Sequence, residues 1–228
     1  MPSLRVSELF TSLQGEGVSV GTPATFLRLG DCNLSCQYCD TPYSWDWHRY
    51  DRKTELAEED FLATAARIRG FAPRRLVLTG GEPLLQQPAL EALAHELSEF
   101  VIEVETNGTV MPSDAFCVRV NQWNVSPKLA SSGVPVAQRR KADVLEVFRM
   151  TERAWLKFVV QSPQDLEEIR ELVAAVRWPS ERVLLMPEAR TPAQLSERSP
   201  AVASAALENG YRFSTRLHVM LWGDTRGR

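Results

Sequence analysis

The residues of this chain best suited to chemistry are three cysteines that lie within eight positions, Cys32, Cys36 and Cys39. They follow an apolar, strand-like run and so belong to a loop at the end of a strand. Thiolates are the ligands that soft metals and iron–sulfur clusters select. Three closely spaced thiolates fit a cubane of four irons in which one iron has no protein ligand. The spacing therefore favours an iron–sulfur cluster.

A zinc site or a small buried group of thiols is the alternative interpretation of the same cysteines. A structural zinc ion normally takes four protein ligands, and no second cysteine pair follows in the sequence. His48 or Cys117 would have to complete such a site. Because zinc sites with three cysteines also exist, the spacing alone leaves this alternative open.

The elements that position these cysteines alternate between strand and helix about six times along the chain. Strands are predicted at 4–11, 24–29, 75–79, 101–105, 118–125, 155–160 and 182–186, helices at 55–70, 88–100, 138–150, 164–176 and 192–208, and a last extended stretch at 211–221. Repeated βα units with right-handed crossovers build a parallel sheet. The prediction is an α/β fold, a partial (βα)6-type barrel of parallel strands with an extra N-terminal strand.

The unusual motifs each lie just after the carboxyl end of a predicted strand. This holds for the cysteine loop, for 80–82, 106–108 and 126–128, and for Gln161 and Glu188. Parallel strands bring those ends to one face, which is where α/β folds place their active sites. The sequence therefore predicts one active site assembled from several loops.

Composition limits the class of protein. With 228 residues and 44% apolar content, residues 1–228 are expected to form a single domain. The net charge of −3 does not suit a nucleic-acid-binding surface. We expect no signal peptide and no membrane helix, since no sufficiently long apolar stretch occurs. Clustered cysteines do not resemble a disulfide framework, so a reducing cytoplasm is the expected compartment.

The cysteine spacing resembles that of the radical S-adenosylmethionine (SAM) enzymes, and the rest of the chain resembles one family among them, the 7-carboxy-7-deazaguanine synthases. The resemblance spans nearly the whole chain. Its motifs are at 10–17, 32–41, 79–83, 105–108, 126–128, 157–160 and 217–222. The pair formed by residues 13–17 and residues 39–41 is much more specific than the cysteine spacing alone.

The resemblance implies a SAM- and Mg²⁺-dependent lyase of queuosine and 7-deazapurine biosynthesis. Its reaction contracts 6-carboxy-5,6,7,8-tetrahydropterin to 7-carboxy-7-deazaguanine and releases ammonia. Two alternatives are weighed beside it: an activating protein that makes a glycyl radical on a partner enzyme, and a zinc-stabilised binding module. The pterin motifs in residues 13–17 and at Thr41 argue against the activating protein.

The resemblance also implies roles for individual residues. The ligands of the [4Fe-4S] cluster are Cys32, Cys36 and Cys39, and Thr41 is the ligand of Mg²⁺, a hard ion that prefers oxygen. The residues implied to contact SAM are Tyr38, Asp40, Gly81, Ser126, Pro127, Lys128, Gln161 and Gln164. The residues implied to contact the pterin are Leu13, Gln14, Gly15, Arg28 and Thr79.

The expected partners follow from the same resemblance. They are the small-molecule pterin, an electron donor of flavodoxin or ferredoxin type, and a second copy of the chain in a homodimer. Neither nucleic acid nor membrane is expected as a partner. The resemblance also implies a C-terminus that closes over the substrate, which would be residues 223–228 here.

Overall fold

A single mixed β-sheet organises the computed structural model, which describes residues 2–223 and 225–228. In these residues the sheet has nine strands: β1 (Ser3–Leu13), β2 (Pro23–Leu29), β3 (Ala57–Asp60), β4 (Arg75–Gly80), β5 (Val101–Thr106), β6 (Gln122–Val125), β7 (Ala154–Val160), β8 (Val183–Pro187) and β9 (Arg212–Phe213). Their spatial order is β3-β1-β2-β4-β5-β6-β7-β8-β9.

The parallel part of the sheet matches the predicted partial barrel. Strands β2, β4, β5, β6, β7 and β8 pair in parallel with their neighbours, and the two-residue β9 continues the series. Strand β1 is the extra N-terminal strand and runs antiparallel to β2. Strand β3 runs antiparallel to β1, so the described sheet has β3 and β9 as its edges.

Helices connect the parallel strands. In the described residues they are α1 (Arg52–Glu55), α2 (Phe61–Arg69), α3 (Gln87–Glu96), α4 (Asp114–Arg119), α5 (Val136–Arg139), α6 (Ala142–Met150), α7 (Pro163–Ala175), α8 (Pro192–Asn209) and α9 (Leu217–Trp222). Short 3-10 turns lie at Gly17–Ser19, Pro42–Ser44, Pro83–Gln86, Ala130–Ser132 and Ser180–Arg182. No helix in these ranges is both long and apolar enough to cross a membrane.

The main core lies between the helices and the sheet. Its centre is Trp123 on β6, which meets the rings of Phe116 and Phe148 edge-on at centroid distances of 5.6 and 5.0 Å. All three side chains are fully buried. Edge-to-face aromatic pairs stabilise a core beyond their buried area. This packing holds the central strands in register and thereby fixes the positions of their carboxyl ends.

The predicted helix at 55–70 is wrong in its first part. Residues Ala57–Asp60 form β3, which pairs with Ser3–Val6, and the helix begins only at Phe61. The Asp60 side chain accepts a hydrogen bond from the amide of Leu62 at 2.9 Å, which is the role of an N-cap. The free edge of β1 supplies backbone partners to this segment, and helical spacing along the sequence could not reveal them.

Two more predicted boundaries differ. The strand predicted at 118–125 begins at Gln122, because Ser113 caps α4 and helix runs on to Arg119. The helix predicted at 138–150 is two helices, α5 and α6, separated at residues 140–141.

The final extended stretch predicted at 211–221 is mostly wrong. Only Arg212–Phe213 is strand, and Leu217–Trp222 is helix α9. The amide of Leu217 donates to the carbonyl oxygen of Gly15 at 2.8 Å, so a distant part of the chain holds the start of this helix. Tertiary contacts of this kind override local strand propensity.

Candidate active site

A cleft with a cavity of about 220 Å³ lies where the parallel strands end at their carboxyl termini. Most of the residues predicted for the site line it: Leu13, Gln14, Gly15, Arg28, Cys32, Cys36, Tyr38, Cys39, Asp40, Thr41, Thr79, Gly81, Ser126 and Lys128. Pro127 is buried beside it, whereas Gln161 and Gln164 are exposed; these three are not among the lining residues. The loops that follow several different strands therefore meet in one cavity, as the motif positions predict.

The three thiols share one wall of this cleft. Each is half-buried and free of any disulfide. N–H groups approach two of the sulfurs: the amide of Leu34 lies 3.5 Å from Cys32 Sγ, and the indole Nε1 of Trp45 lies 3.2 Å from Cys39 Sγ. Burial raises the pKa of the Cys32 thiol to about 12.

These residues fit an iron–sulfur cluster. The donor set consists of soft sulfurs that face a common cavity, and N–H groups aimed at sulfur stabilise thiolate charge in such sites. Cys117 and His48, the candidates for completing a zinc site, are not among the residues lining the cleft. Within the described ranges, no three His, Cys, Asp or Glu side chains are grouped closely enough to hold a single metal ion.

The residue before the first cysteine holds the cysteine loop in place. Asp31 has a φ of 68°, a left-handed conformation that Asp adopts more readily than most residues. Its carboxylate is bound by Arg5, by Trp47 Nε1 at 3.1 Å and by Arg52 Nη2 at 3.5 Å. Its amide donates to Ser44 O at 2.8 Å. The start of the loop is thus fixed from both β1 and the segment that follows the cysteines.

Gly81 is where β4 touches the cysteine loop. A Cβ atom at this position would lie 2.1 Å from Asp31 O and 3.0 Å from Cys32 Cβ. Gly81, which the resemblance assigns to contact with SAM, therefore lies directly against the cysteine loop in this structure. Any side chain here would push that loop aside.

Glu82 ties the end of β4 to the end of β5. It is fully buried and accepts hydrogen bonds from Thr106 Oγ1 at 2.8 Å and from the amide of Asn107 at 2.7 Å. Burial raises the pKa of this carboxyl. The contact keeps the two strand ends, and with them the motif at residues 105–108, beside the cysteine loop.

The wall that carries the predicted pterin residues contains a carboxylate, Glu105. Thr79 Oγ1 donates to Glu105 Oε2 at 2.7 Å, and Gln14 Nε2 donates to Glu105 Oε1 at 3.2 Å. The same Gln14 nitrogen donates to the buried Glu103 at 2.7 Å. The side chains of Gln14 and Thr79 therefore orient Glu105, which faces the cleft. Gly15, the next residue, lies against the ring of His218.

A partly buried group of charges forms another part of the cleft. Glu16 binds Lys157 and accepts from Arg216 Nε at 2.9 Å, while Arg216 also binds Asp40 and donates to Ala189 O at 2.6 Å. Burial opposes ionisation of Glu16, but Lys157 and Arg216 outweigh it and hold the pKa of Glu16 far below its usual range. Arg216 likewise outweighs burial and lowers the pKa of Asp40.

The sequence analysis assigned no individual role to several residues that line the cleft: Glu16, Trp45, Glu105, Asn107, Lys157, Glu188, Arg216 and His218. Most of them lie in or next to the motifs noted in the sequence. Their position in those motifs was the one sign in the sequence that they belong to the site. Their partners are distant in the sequence, so the contacts between them leave no local pattern.

Replacing Lys157 by Met is expected to lower the free energy of unfolding by about 3 kcal/mol, because removing one partner of a buried ion pair leaves a charge poorly compensated. Lys157 is buried and Glu16 is mostly buried, with 6% and 14% of their side chains exposed. Anaerobic urea unfolding measures the change. Lys141→Met is the control, since Lys141 is half-buried away from the cleft and, among the described residues, its ammonium bonds the carbonyl oxygen of Ala137 and no carboxylate. An equal loss in both variants would contradict this account.

The pH dependence of stability is expected to follow from the lowered pKa of Glu16. Because the pKa of Glu16 is lower in the folded protein than in the unfolded chain, ionised Glu16 stabilises the fold. This stabilisation is fully present above the unfolded-state pKa of about 4.5, and it is lost as the pH falls through the pKa of the folded state. Lys157→Met weakens that depression, so its acid loss should begin at a higher pH than in the wild type. Urea unfolding midpoints of both proteins, measured from neutral pH downward, test this prediction. Midpoints that fall with pH in the same way in the wild type and in Lys157→Met would refute it.

Arg28 extends from β2 into the cleft and is oriented by a second carboxylate. Its Nε donates to Glu8 Oε2 at 2.7 Å, and Tyr43 OH donates to the same oxygen at 2.9 Å. Arg226, near the C-terminus, binds the other oxygen of Glu8 at 2.7 Å and stacks 3.9 Å above the Tyr43 ring. Among the described residues, this is the one hydrogen bond that the Arg28 side chain makes, so its terminal nitrogens are available to a ligand.

The C-terminal tail, predicted to close over the substrate, reaches the same region. Arg228 lines the cleft and Arg226 is tied to Glu8, whereas position 224 lies outside the described residues. The closing role itself stays a prediction.

Comparison with known proteins identifies the class first. Residues 28–118 match the Radical SAM superfamily. The structure of SuiB from Streptococcus suis has the same fold, with a TM-score of 0.57 and 11% identity, over 85% of this chain and 53% of that one. The cysteine loop, the parallel sheet and the cleft at its carboxyl edge therefore define a radical SAM enzyme.

Full-length relatives then identify the family. The chain is 40% identical to the 7-carboxy-7-deazaguanine synthase of Pyrobaculum aerophilum over all of this chain and 98% of that protein. It is 30% identical to the Escherichia coli K12 enzyme of the same name, over 95% and 97% of the two chains. The E. coli QueE crystal structure matches with a TM-score of 0.69 and 26% identity over 95% of each chain. The chain belongs to the 7-carboxy-7-deazaguanine synthase family, and the zinc-module and activating-protein interpretations are not favoured.

Proposed function

We propose that the cleft converts 6-carboxy-5,6,7,8-tetrahydropterin to 7-carboxy-7-deazaguanine, with release of ammonia, in queuosine and 7-deazapurine biosynthesis. One observation carries the proposal. Three thiols form one wall of a cavity whose other walls present the Arg28 guanidinium and the Glu105 carboxylate. That combination suits a cluster-dependent reaction on a small molecule that has both a carboxylate and N–H donors.

The cysteine wall would hold the [4Fe-4S] cluster through Cys32, Cys36 and Cys39. When bound, the cluster and SAM supply one-electron cleavage of SAM and the adenosyl radical that abstracts hydrogen from the substrate. The role of the chain's own residues is to bind and orient SAM and the substrate. Lys128 donates to Ser126 Oγ at 3.1 Å and places a positive charge on the lining of the cavity, which suits the carboxylate of SAM. Tyr38, Asp40 and Gly81 line the same cavity.

The pterin would lie between Arg28 and Glu105. Adjacent N–H groups of an aminopyrimidinone match the two oxygens of a carboxylate, and Thr79 and Gln14 hold Glu105 in a fixed orientation for them. The substrate carboxylate matches the free terminal nitrogens of Arg28. Holding the ring at both ends keeps the reacting carbon in one position, which hydrogen abstraction requires.

Thr41 is the proposed ligand of Mg²⁺. Its Oγ1 lies 3.8 Å from Cys39 Sγ, and this is its one polar side-chain contact among the described residues. The hydroxyl therefore keeps its lone pairs available at the border between the cysteine wall and the substrate. Mg²⁺ usually combines such a protein oxygen with water or substrate oxygens.

Thr41→Val is expected to raise the Mg²⁺ concentration needed for half-maximal activity by about tenfold, since it removes the oxygen while nearly preserving shape. SAM binding, measured by equilibrium dialysis, should not change. Thr54→Val, on the exposed helix α1, is the control. A Mg²⁺ titration of Thr41→Val that matches the wild type would rule out this role.

The remaining features of the proposal concern the setting of the enzyme. We infer one domain, because a single sheet takes strands from Ser3 to Phe213. A homodimer is supported by the exposed apolar residues Phe213, Met220 and Leu221. An electron donor of flavodoxin or ferredoxin type would reduce the cluster. The free thiols suit a reducing cytoplasm.

Substrate discrimination tests the proposal. Anaerobically reconstituted protein is assayed with SAM, Mg²⁺ and dithionite, using either the carboxylated tetrahydropterin or tetrahydropterin without the carboxylate. We expect ring contraction of the first, and at least a hundredfold lower kcat/KM or no product with the second, because the second leaves Arg28 unpaired. Equal turnover of the two compounds would contradict the proposed mode of binding.

A further inference from the structure

We propose that Trp45 is a positioning residue that donates its indole N–H to the Cys39 thiolate and thereby raises the reduction potential of the cluster. The contact joins Trp45 Nε1 and Cys39 Sγ at 3.2 Å. This inference rests on the cluster assignment in the proposed function. It adds Trp45, a residue outside the three-cysteine motif, to the residues that influence reduction of the cluster.

The position of the indole is fixed by the backbone around it. Trp45 follows the Pro42–Ser44 turn, and its amide donates to Pro42 O at 3.1 Å. Its carbonyl accepts from the amide of Trp47, also at 3.1 Å. The side chain is half-buried and lines the cleft next to Cys39. A donor held in this way meets the sulfur without a large loss of side-chain freedom.

Cys39 is likewise held in place. Arg190, after β8, donates to the carbonyl oxygen of Cys39 at 2.7 Å, and the Arg190 amide is itself bound to Gln194 at 2.9 Å. Both partners of the N–H···S contact therefore have external supports.

Among the described residues, the Trp45 contact is the shortest hydrogen bond to any of the three motif sulfurs. Cys32 accepts from Leu34 N at 3.5 Å and from Asn107 Nδ2 at 4.0 Å. The cysteine ligands therefore differ in the hydrogen bonds that they accept, and Cys39 has the closest N–H donor.

The expected effect on the reduction potential follows from the charge of the cluster. The electron donor gives one electron to the oxidised cluster, which gains one negative charge spread over iron, sulfide and thiolate. A hydrogen bond to a thiolate stabilises the more negative, reduced form more than the oxidised form. Removing the bond should make reduction less favourable, while the number of cysteine ligands stays the same.

Trp45→Phe tests the inference, because it keeps an aromatic ring and removes the N–H. Trp47→Phe is the matched control: it removes an indole donor from the same loop, but one that is bound to Asp31 at 3.1 Å rather than to sulfur. The midpoint potential of each reconstituted protein is measured by anaerobic titration followed by EPR, with iron and sulfide counted for every sample.

We expect the equilibrium constant for reduction to fall about tenfold in Trp45→Phe, which is a shift of about −59 mV for one electron. Trp47→Phe should shift the potential much less, because its indole is bound to Asp31 and not to sulfur. An unchanged potential in a Trp45→Phe protein with a full cluster would overturn the proposal, as would equal shifts in both variants.

A second measurement serves if Trp45→Phe does not retain its cluster. Wild-type protein with ¹⁵N-labelled indole groups should show a ¹⁵N coupling to the reduced cluster in pulsed EPR, and the labelled Trp47→Phe protein should show the same coupling. Absence of that coupling in the wild type would end the claim.

Neither experiment needs the pterin, so a failed pterin assay and a failed Trp45 test are separate results. Failure to assemble any four-iron cluster would instead refute the proposed function.

Discussion

Replacing Cys36 by Ala is expected to abolish both the iron–sulfur chromophore and all cleavage of SAM. The three thiols are the soft ligands on the cysteine wall of the cleft, and two sulfurs cannot hold a four-iron cluster that already leaves one iron without a protein ligand. Iron and sulfide analysis, the visible spectrum and assay for 5′-deoxyadenosine measure the effect. Cys32→Ala and Cys39→Ala should behave in the same way.

Cys117→Ala is the matched control for the cysteine variants. Cys117 lies on α4, packs partly buried against the main core, and is not among the residues that line the cleft. Its loss should leave the cluster and SAM cleavage intact. A full four-iron cluster in Cys36→Ala, or loss of the cluster in Cys117→Ala, would refute the assignment of ligands.

Arg28→Lys is expected to lower kcat/KM for the pterin by about 30-fold to several thousandfold, which corresponds to about 2–5 kcal/mol for a poorly paired carboxylate in a desolvated site. The guanidinium can bind Glu8 through Nε and still present its terminal nitrogens to the substrate. A lysine ammonium has no planar fork and cannot serve both partners in this geometry. Steady-state kinetics should show a higher KM and a lower kcat, with cluster content and SAM binding unchanged.

Glu8→Gln separates this role from simple support of the strand. It removes the charge that orients Arg28 but leaves the guanidinium in the cleft, so its effect on kcat/KM should be clearly smaller than that of Arg28→Lys. If Arg28 only decorated β2, Arg28→Lys would behave like the wild type, and that result would end the claim.

The sequence predicted the parts of the site that follow from local order. The cysteine loop, the glycines at 80–81 and the motif at 105–108 each end a strand whose apolar run is plain in the sequence. A parallel sheet then brings those strand ends together without further information. For the same reason, the six-strand parallel core was predictable from the alternation of strand and helix.

The parts that could not be predicted depend on pairs distant in the sequence. Glu16 meets Lys157 and Arg216, which lie 141 and 200 positions away, and neither partner leaves a local pattern. The edge strand β3 exists because β1 offers it a free edge, and α9 is held by Gly15. The indole of Trp45 reaches Cys39 only because an irregular turn lies between them. Such contacts come from the folded chain, and periodicity does not report them.

The most direct test of the proposed function is anaerobic turnover. Reconstituted protein is mixed with 6-carboxy-5,6,7,8-tetrahydropterin, SAM, Mg²⁺ and a reductant, and the products are identified by mass spectrometry together with an ammonia assay. We expect 7-carboxy-7-deazaguanine and ammonia in equal amounts, with no product from the Cys36→Ala protein. Protein with a complete four-iron cluster that cleaves SAM but leaves the pterin unchanged would contradict it.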